Sequence, residues 1–157
     1  MSQKVITRFP PSPTGLLHVG SVRTLLFNYL YAKQQGGTMR LRIEDTDKER
    51  SKSEYEKYIY DSMEWLGLTY DGPVFVQSKR TAVYQEALHK LLAADIAYFS
   101  KEEPKEPGGR TEVIRFKNPK KVITFHDTIR GNITFDTTEL GDFVIAKSIE
   151  EPLYHLT

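Results

Sequence analysis

Hydrophobic residues follow a strand, helix, strand pattern at the start of the chain. A short apolar strand at Val5-Ile6 leads, after a loop, into a predicted helix that opens at about Val19. Apolar side chains recur at helical spacing in that helix, at Val22, Leu25, Leu26, Tyr29 and Leu30. Gly36-Gly37 ends the helix, and residues 38–43 alternate like a second strand. Because a right-handed crossover makes two such strands parallel, we expect their carboxyl ends at one edge of a sheet, where ligands of open α/β sheets bind.

Two more helices are predicted downstream. The first follows a capping box, Ser53-x-x-Glu56, and ends at Gly67. The second runs from about Lys79 to Ala94, with Ser78 as its cap. Their predicted buried faces comprise Tyr55, Tyr58, Ile59, Ser62, Met63 and Leu66 in the first helix, and Tyr84, Ala87, Leu88, Leu91 and Leu92 in the second. The alternation of strands and helices up to this point predicts an α/β fold.

The pattern changes after Phe99. Residues 101–110 are charged and contain two prolines and a glycine pair, which predicts a boundary or connector. Short apolar runs separated by turn residues then follow at residues 113–116, 122–125, 133–135, 143–146 and 153–156. These runs predict a small antiparallel sheet.

Composition narrows the class of protein. The 157 residues suffice for one domain with a sizeable core, and no apolar run approaches the roughly 20 residues that cross a bilayer. With no signal-type segment after the first residues, we expect a cytoplasmic protein. The absence of cysteine excludes disulfides and thiolate-bound zinc, and the four histidines lack metal-binding spacing, so no structural metal is expected.

The net charge does not indicate a nucleic-acid partner. The formal net charge is +1, so the chain lacks the strong excess of basic residues that is typical of nucleic-acid-binding proteins. Any footprint on RNA would come from a local cluster such as Lys117, Lys120 and Lys121, which is equally typical of a solvated hairpin end.

The most informative stretch is the loop between the first strand and the first helix, R-F-P-P-S-P-T-G-L-L-H-V-G-S at residues 8–21. Three prolines and two glycines make it stiff and closely turned. A helix that opens at Val19 would aim unpaired backbone N–H groups into the space above, which attracts phosphate. His18 offers a further donor, and Gly20 has no side chain to keep a ligand away. This loop therefore predicts a phosphate site.

A second candidate stretch is Glu44-Asp45-Thr46-Asp47, at the end of the second strand. A carboxylate beside a phosphate-binding loop would repel a nucleotide, so its presence there suggests a different role. Binding of an ammonium group is one such role. Glu44 stands at the end of the strand, where this argument applies, whereas Asp47 is typical of an acidic loop or helix cap.

Together, these motifs closely resemble the N-terminal part of bacterial glutamyl-tRNA synthetases. His18-Val19-Gly20-Ser21 corresponds to the HIGH signature of class I aminoacyl-tRNA synthetases, with Ser21 in place of the second histidine. The resemblance implies that residues 1–98 form the first half of a Rossmann-like nucleotide-binding fold with parallel strands. Residues 99–157 would be a shortened, β-rich insertion that docks the tRNA acceptor end.

The resemblance also implies roles for individual residues. Catalysis would involve His18, Gly20 and Ser21, ATP binding would involve Pro11, Thr14, Gly15, His18 and Gly20, and glutamate binding would involve Arg8, Ser12, Glu44 and Tyr154. An arginine suits a carboxylate because its fork donates two parallel hydrogen bonds. The implied substrates are ATP with Mg²⁺, L-glutamate and tRNA(Glu), with no zinc and no membrane partner.

A complete class I synthetase also has a second nucleotide-binding half, a KMSKS-like loop and an anticodon-binding region, none of which is in this sequence. We therefore expect an N-terminal piece that is weakly active or inactive alone and prone to self-association. Three alternatives stay open. They are a paralogue that attaches glutamate to a modified tRNA base, a catalytically silent nucleotide-binding fragment, and a small adenylyltransferase. The last would explain His18 but not Arg8, Ser12 and Glu44 together.

Overall fold

A parallel three-stranded sheet is the centre of the first of two compact units. The structure, a computed structural model, describes residues 4–104, 109 and 111–157, and the chain divides into units 1–80 and 81–157. The first unit consists of β1 (Ile6–Phe9), α1 (Val19–Gln34), β2 (Thr38–Ile43), α2 (Ser53–Trp65), β3 (Phe75–Val76) and a 3₁₀ helix (Gln77–Arg80). Its strand order is β1-β2-β3, and both pairings are parallel. The predicted strand, helix, strand unit is therefore confirmed.

The core of this unit lies between the sheet and the two helices. Its buried residues are Phe9, Leu25, Ala32, Met39, Leu41, Ile43, Ile59 and Met63. The predicted inner face of α1 is partly wrong, because Leu26 and Leu30 are 42% and 53% exposed. On α2, Tyr58 is likewise exposed, and Tyr60 packs against the core instead. Helical spacing identifies an apolar stripe, but it does not say how much of that stripe a three-stranded sheet covers.

The start of α2 differs from the predicted capping box. Lys52 is the N-cap, with an extended backbone and no side-chain cap bond, so Ser53 is the first helical residue. The backbone N–H of Lys52 donates to the carbonyl of Pro13 (3.0 Å), while its own carbonyl accepts from Tyr55 and Glu56. The contact with the proline-rich loop therefore sets the start of this helix.

The predicted helix cap at Ser78 is also wrong. Ser78 lies in the 3₁₀ helix, and α3 (Thr81–Ala93) begins three residues later. The backbone N–H and the hydroxyl of Ser78 both donate to the carboxylate of Asp45, at 2.8 and 2.5 Å. Ser78 thus joins the end of β3 to the end of β2.

The second unit packs α3 against an antiparallel sheet. It contains α3, β4 (Ala97–Lys101), β5 (Glu112–Phe116), β6 (Val122–Asp127), β7 (Gly131–Asp136), β8 (Phe143–Ser148) and β9 (Glu151–Pro152). Strands β4, β5, β8 and β9 form a four-stranded sheet in that order, and β6 and β7 form a separate hairpin. The buried core comprises Leu88, Ala97, Ile114, Ile145 and Ala146, and Leu91 and Leu92 pack against it.

Three details of the predicted antiparallel region need correction. The five predicted runs do not form one sheet, and β4 was missed because it ends where the sequence becomes charged. Residues 154–156 are a turn, closed by the Leu156 N–H that donates to the Leu153 carbonyl. The strand that pairs with β8 is Glu151–Pro152, and the Leu153 N–H adds one bond to the Ile145 carbonyl (2.9 Å). Residues 105–108 and 110 of the predicted connector lie outside the described residues.

The boundary between the compact units falls after Arg80, because Leu88 of α3 belongs to the core of the second unit. The functional division at residues 98 and 99 stays a prediction. Within the described part of the chain, no helix is both long and apolar enough to cross a membrane.

A glycine at the start of β2 provides a test of the sheet. The backbone N–H of Thr38 donates to the carbonyl of Val5 (2.9 Å), and a Cβ on Gly37 would lie 2.3 Å from that same oxygen. We expect Gly37→Ala to destabilise the protein by roughly 1–3 kcal/mol in urea unfolding, because the first contact between β1 and β2 must open. Gly141→Ala is the control, since a Cβ there meets nothing within 4 Å. Equal stability of the two variants would contradict this description of the pairing.

Candidate active site

A groove opens beside the loop that joins β1 to α1. It encloses about 410 Å³ and is lined by Phe9, Pro10, Pro11, Ser12, Thr14, Gly15, Leu16, Leu17, His18, Ser21 and Thr24. It therefore brings together most residues predicted to bind ATP, namely Pro11, Thr14, Gly15 and His18. Ser12, predicted to bind glutamate, lies on the same wall, as does Ser21. Gly20, Arg8 and Glu44 are not among the lining residues.

His18 is the N-cap of α1. Its backbone is extended (φ −106°, ψ 166°), and its imidazole Nδ1 accepts the backbone N–H of Gly20 at 3.0 Å. Because Nδ1 acts as an acceptor, the proton of the neutral ring belongs on Nε2. The hydroxyl of Ser21 lies 3.4 Å from Nε2. The loop thus presents an exposed imidazole N–H at the wall of the groove.

The predicted unpaired N–H groups at this helix end need correction. The Gly20 N–H is held by the imidazole, and those of Ser21 and Val22 donate to the His18 carbonyl at 2.9 and 3.1 Å. Three of the first four N–H groups of the helix are therefore satisfied at this end, and its positive end lies next to the imidazole of His18.

The structure gives Gly20 a reason to be glycine in addition to the predicted one, which stays a prediction. A Cβ at this position would lie 2.8 Å from Cε1 and 3.0 Å from Nδ1 of His18. The missing side chain therefore makes room for the capping imidazole, which lies over it.

The end of β2 is bonded to the proline-rich loop. The backbone N–H of Glu44 donates to the carbonyl of Pro11 (2.9 Å), and that of Lys52 donates to the carbonyl of Pro13 (3.0 Å). Both prolines are buried. The expectation that the loop and the acidic strand end meet at one edge of the sheet is therefore confirmed.

The carboxylate of Glu44 is half-buried and already has partners. Arg42 Nε donates to Oε1 at 2.5 Å, and the Arg42 Nη2 also contacts Oε1. Gln77 Nε2 lies 3.4 Å from Oε2, and the Gln77 side chain is buried, at 2% exposure. Sequence reasoning missed both neighbours. Residues 42 and 44 lie on one face of the strand end because side chains alternate, and that period was the available signal for Arg42.

The two aspartates of this acidic segment accept hydrogen bonds from backbone N–H groups and from nearby side chains. Asp45 binds Ser78, and Asp47 accepts the backbone N–H of Arg50 (3.1 Å) and its side-chain Nε (2.6 Å). These bonds from Arg50, with the side-chain bond the largest, lower the pKa of Asp47. The interpretation of Asp47 as an acidic loop residue agrees with this turn.

A partly buried tyrosine of α2 borders the acidic segment. The Tyr60 hydroxyl donates to Glu56 Oε1 at 3.0 Å. Burial, followed by the hydrogen bond to Glu56, raises the pKa of Tyr60 to about 12. Tyr60 therefore stays neutral and serves packing.

Two predicted glutamate-binding residues are not joined to this arrangement by any described contact. Arg8 is exposed on β1, opposite Arg40 in the register. Tyr154 is 68% exposed in the turn after β9, and its ring lies 3.9 Å from the ring of His155. Tyr154 therefore lies in a turn and not in the strand predicted for residues 153–156. Its role in glutamate binding stays a prediction.

The described residues contain no group of three or more histidine, aspartate or glutamate side chains arranged to hold a metal ion.

Comparison with known proteins gives one consistent family. The family described as tRNA synthetases class I (E and Q), catalytic domain, matches residues 4–107 and 100–157. The two matches meet inside the predicted connector.

Similar curated proteins are named as glutamate-tRNA ligases. The "Glutamate--tRNA ligase" of Dichelobacter nodosus is 43% identical over 179 aligned residues, covering 96% of this chain and 38% of the relative. The "Glutamate--tRNA ligase 1" of Aliarcobacter butzleri is 42% identical, covering 96% of this chain and 39% of the relative. The chain thus spans well under half the length of these relatives.

Solved structures agree with the curated relatives. A glutamate tRNA ligase from Elizabethkingia meningosepticum, crystallised in complex with its amino acid, has a TM-score of 0.86 and 34% identity. The match covers 98% of this chain and 40% of that one. This chain therefore has the same α/β fold as the matching part of the solved glutamate tRNA ligase.

The cap made by His18 can be separated from its exposed nitrogen. Asparagine is a strong N-cap residue and alanine a weak one. We expect His18→Ala to lower the free energy of unfolding by about 1 kcal/mol and His18→Asn to keep it near the parent value. Urea titrations of the three proteins measure this difference. Equal losses in both variants would mean that the cap contributes nothing to stability.

Proposed function

The chain belongs to the catalytic-domain family of class I tRNA synthetases for glutamate and glutamine, and on that premise we propose that it carries the amino-acid-activating site of a glutamate-tRNA ligase. This site activates L-glutamate with ATP to glutamyl adenylate, and the enzyme then transfers glutamate to the 3′ end of tRNA(Glu). The names of the similar ligases support the choice of glutamate.

The observation that carries the proposal is the imidazole of His18. Its Nδ1 is engaged as the cap of α1, so Nε2 is the nitrogen that meets a ligand in the groove. An N–H at this point donates to an ATP phosphate oxygen and stabilises the charge that develops when pyrophosphate leaves. The hydroxyl of Ser21, 3.4 Å from Nε2, is a second donor beside it.

Binding of glutamate is assigned to the edge where the loop meets β2. Glu44 pairs with the α-ammonium group, and Arg8 and Ser12 bind the carboxylates, with Tyr154 as a further contact. The backbone bond between Glu44 and Pro11 supports this arrangement, because it fixes the amino-acid side next to the ATP side. Such fixed neighbours supply the proximity that a reaction between two substrates needs.

The reaction follows from that placement. An oxygen of the glutamate α-carboxylate attacks the α-phosphorus of ATP, the bond from that phosphorus to the pyrophosphate oxygen breaks, and pyrophosphate leaves. The terminal ribose hydroxyl of tRNA then attacks the mixed anhydride and releases AMP. Mg²⁺ enters with the nucleotide substrate, because this ion usually binds through substrate phosphates together with one or two carboxylates and water.

Docking of the tRNA acceptor end is assigned to residues 99–157. The predicted basic cluster there is partly engaged already. Lys117 pairs with Asp95, and Lys120 Nζ donates to the Leu140 carbonyl at 2.8 Å. Binding of RNA at this cluster would therefore exchange existing partners for phosphates.

Glutamate-dependent exchange of pyrophosphate into ATP tests the proposal, on this chain and on the same chain extended to its full reading frame. We expect His18→Asn to lower the exchange rate by about 100-fold or more, since one donor to the developing charge is lost. Its stability should match the parent, because the cap is kept. His89→Asn, on the exposed side of α3, is the control and should exchange normally.

A parent protein with glutamate-independent exchange, or a His18→Asn variant with full activity, would refute the assignment. Two further measurements distinguish the proposed function from the alternative functions. Glutamate that stays on tRNA after the ester bond is hydrolysed would indicate modification of a base. Binding of ATP and glutamate in calorimetry without any exchange would indicate a silent binding fragment.

A further inference from the structure

The carboxylate of Glu44 is held by two side chains that have no part in the function above. The described contacts between Arg42 and this carboxylate both go to Oε1, from Nε and from Nη2. Gln77 faces the other oxygen, Oε2, at the long distance of 3.4 Å. The two oxygens therefore have unequal partners, one bound by a charged fork and one beside a neutral amide.

The sheet determines this arrangement. Arg42 and Glu44 are two residues apart at the end of β2, so their side chains lie on the same face. In the parallel register, Arg42 is opposite Phe75 and Ile43 is opposite Val76, which brings Gln77 next to Glu44. The two bonds from Ser78 to Asp45 fix this register one residue further on.

The low exposure of this ion pair favours a Glu44 carboxylate that is already oriented before a ligand binds. The Glu44 and Arg42 side chains are 17% and 22% exposed, so each has lost much of its hydration. A carboxylate in such a place is costly without a partner and would turn towards water. The Arg42 fork holds it in place before any ligand arrives, and a prepared group avoids the entropy cost of ordering on binding.

We propose that Arg42 is a positioning residue for amino-acid recognition, which holds Oε1 of Glu44 so that Oε2 receives the α-ammonium group of L-glutamate. The inference rests on the proposed function, because that function makes Glu44 the ammonium-binding residue. Arg42 does not touch the substrate. The long contact from Gln77 to Oε2 yields to the ammonium group, since a charged hydrogen bond is the stronger one.

The opposite effect of Arg42 is competition, because a neighbouring cation weakens the attraction of Glu44 for an ammonium group. Positioning outweighs competition here, since both contacts from Arg42 go to one oxygen and leave the other for the ligand. The two effects predict opposite changes in affinity, so they are distinguishable.

Calorimetric titration of the protein with L-glutamate, with glutarate and with ATP tests the inference. Glutarate keeps both carboxylates and lacks the amino group. We expect Arg42→Met to weaken binding of L-glutamate by at least about tenfold, which one lost charged hydrogen bond accounts for, while glutarate and ATP bind within about twofold of the parent. Arg42→Lys keeps the positive charge but lacks the forked guanidinium group. Its affinity for L-glutamate should therefore lie between that of the parent and that of Arg42→Met.

Arg50→Met is the matched control, because it removes an arginine from another carboxylate of the same unit, Asp47. It should leave all three affinities unchanged. Equal weakening of L-glutamate and glutarate by Arg42→Met would indicate a merely structural role and overturn the inference. Unchanged or tighter binding of L-glutamate would overturn it in favour of competition.

Glu44→Gln separates this inference from the proposed function. If Glu44→Gln weakens L-glutamate but not glutarate, and Arg42→Met does neither, only the role of Arg42 fails. If the parent protein does not bind L-glutamate, both the proposed function and the inference fail.

Discussion

Parallel pairing of β1 with β2 is the constraint on which the site depends. Parallel strands deliver their carboxyl ends to the same edge, so the loop after β1 and the acidic segment after β2 must be neighbours. Two backbone bonds, from Glu44 to Pro11 and from Lys52 to Pro13, then fix the separation of the two segments. Since prolines restrict the loop, small movements of the strand ends are not absorbed within it. The loop therefore takes its position from the sheet.

Stability and the proposed function depend on the same atoms at the start of α1. The imidazole of His18 satisfies the Gly20 N–H through Nδ1, and the same bond determines which nitrogen carries the proton towards the groove. Gly20 is required because a Cβ would collide with that ring. A histidine that caps a helix is thereby locked in one tautomer and one orientation, which are the conditions for a catalytic donor. Glu44 follows the same logic, because Arg42 both compensates its charge and orients it.

Local patterns in the sequence were sufficient for the elements of the first unit. The opening of α1 at Val19, the strand at residues 38–43 and the meeting of the proline-rich loop with Glu44 all follow from spacing and from the geometry of parallel strands. The family resemblance added the identity of the ligands, which no pattern supplies. Contacts between residues that are far apart in the sequence could not be predicted from local patterns. The predicted cap at Ser53 failed because Lys52, whose N–H donates to the distant Pro13 carbonyl, is the N-cap. The cap at Ser78 failed because the distant Asp45 binds the N–H and the hydroxyl of that serine.

The second unit was harder to predict for the same reason. β4 follows α3 directly and ends in charged residues, so its pairing with β5 is visible only once the chain has folded back. Gln77 could not be found at all, since a single buried amide after a two-residue strand has no periodic signal. The partners of Glu44 are therefore properties of the register between β2 and β3.

A crystal structure of the protein with a non-hydrolysable analogue of glutamyl adenylate tests the central claim most directly. The account predicts the phosphate-replacing group within about 3 Å of His18 Nε2 and the α-ammonium group at a similar distance from Glu44 Oε2, in one continuous site. An analogue bound away from the groove, or one that contacts His18 while its ammonium group leaves Glu44 in contact with Arg42 alone, would contradict it.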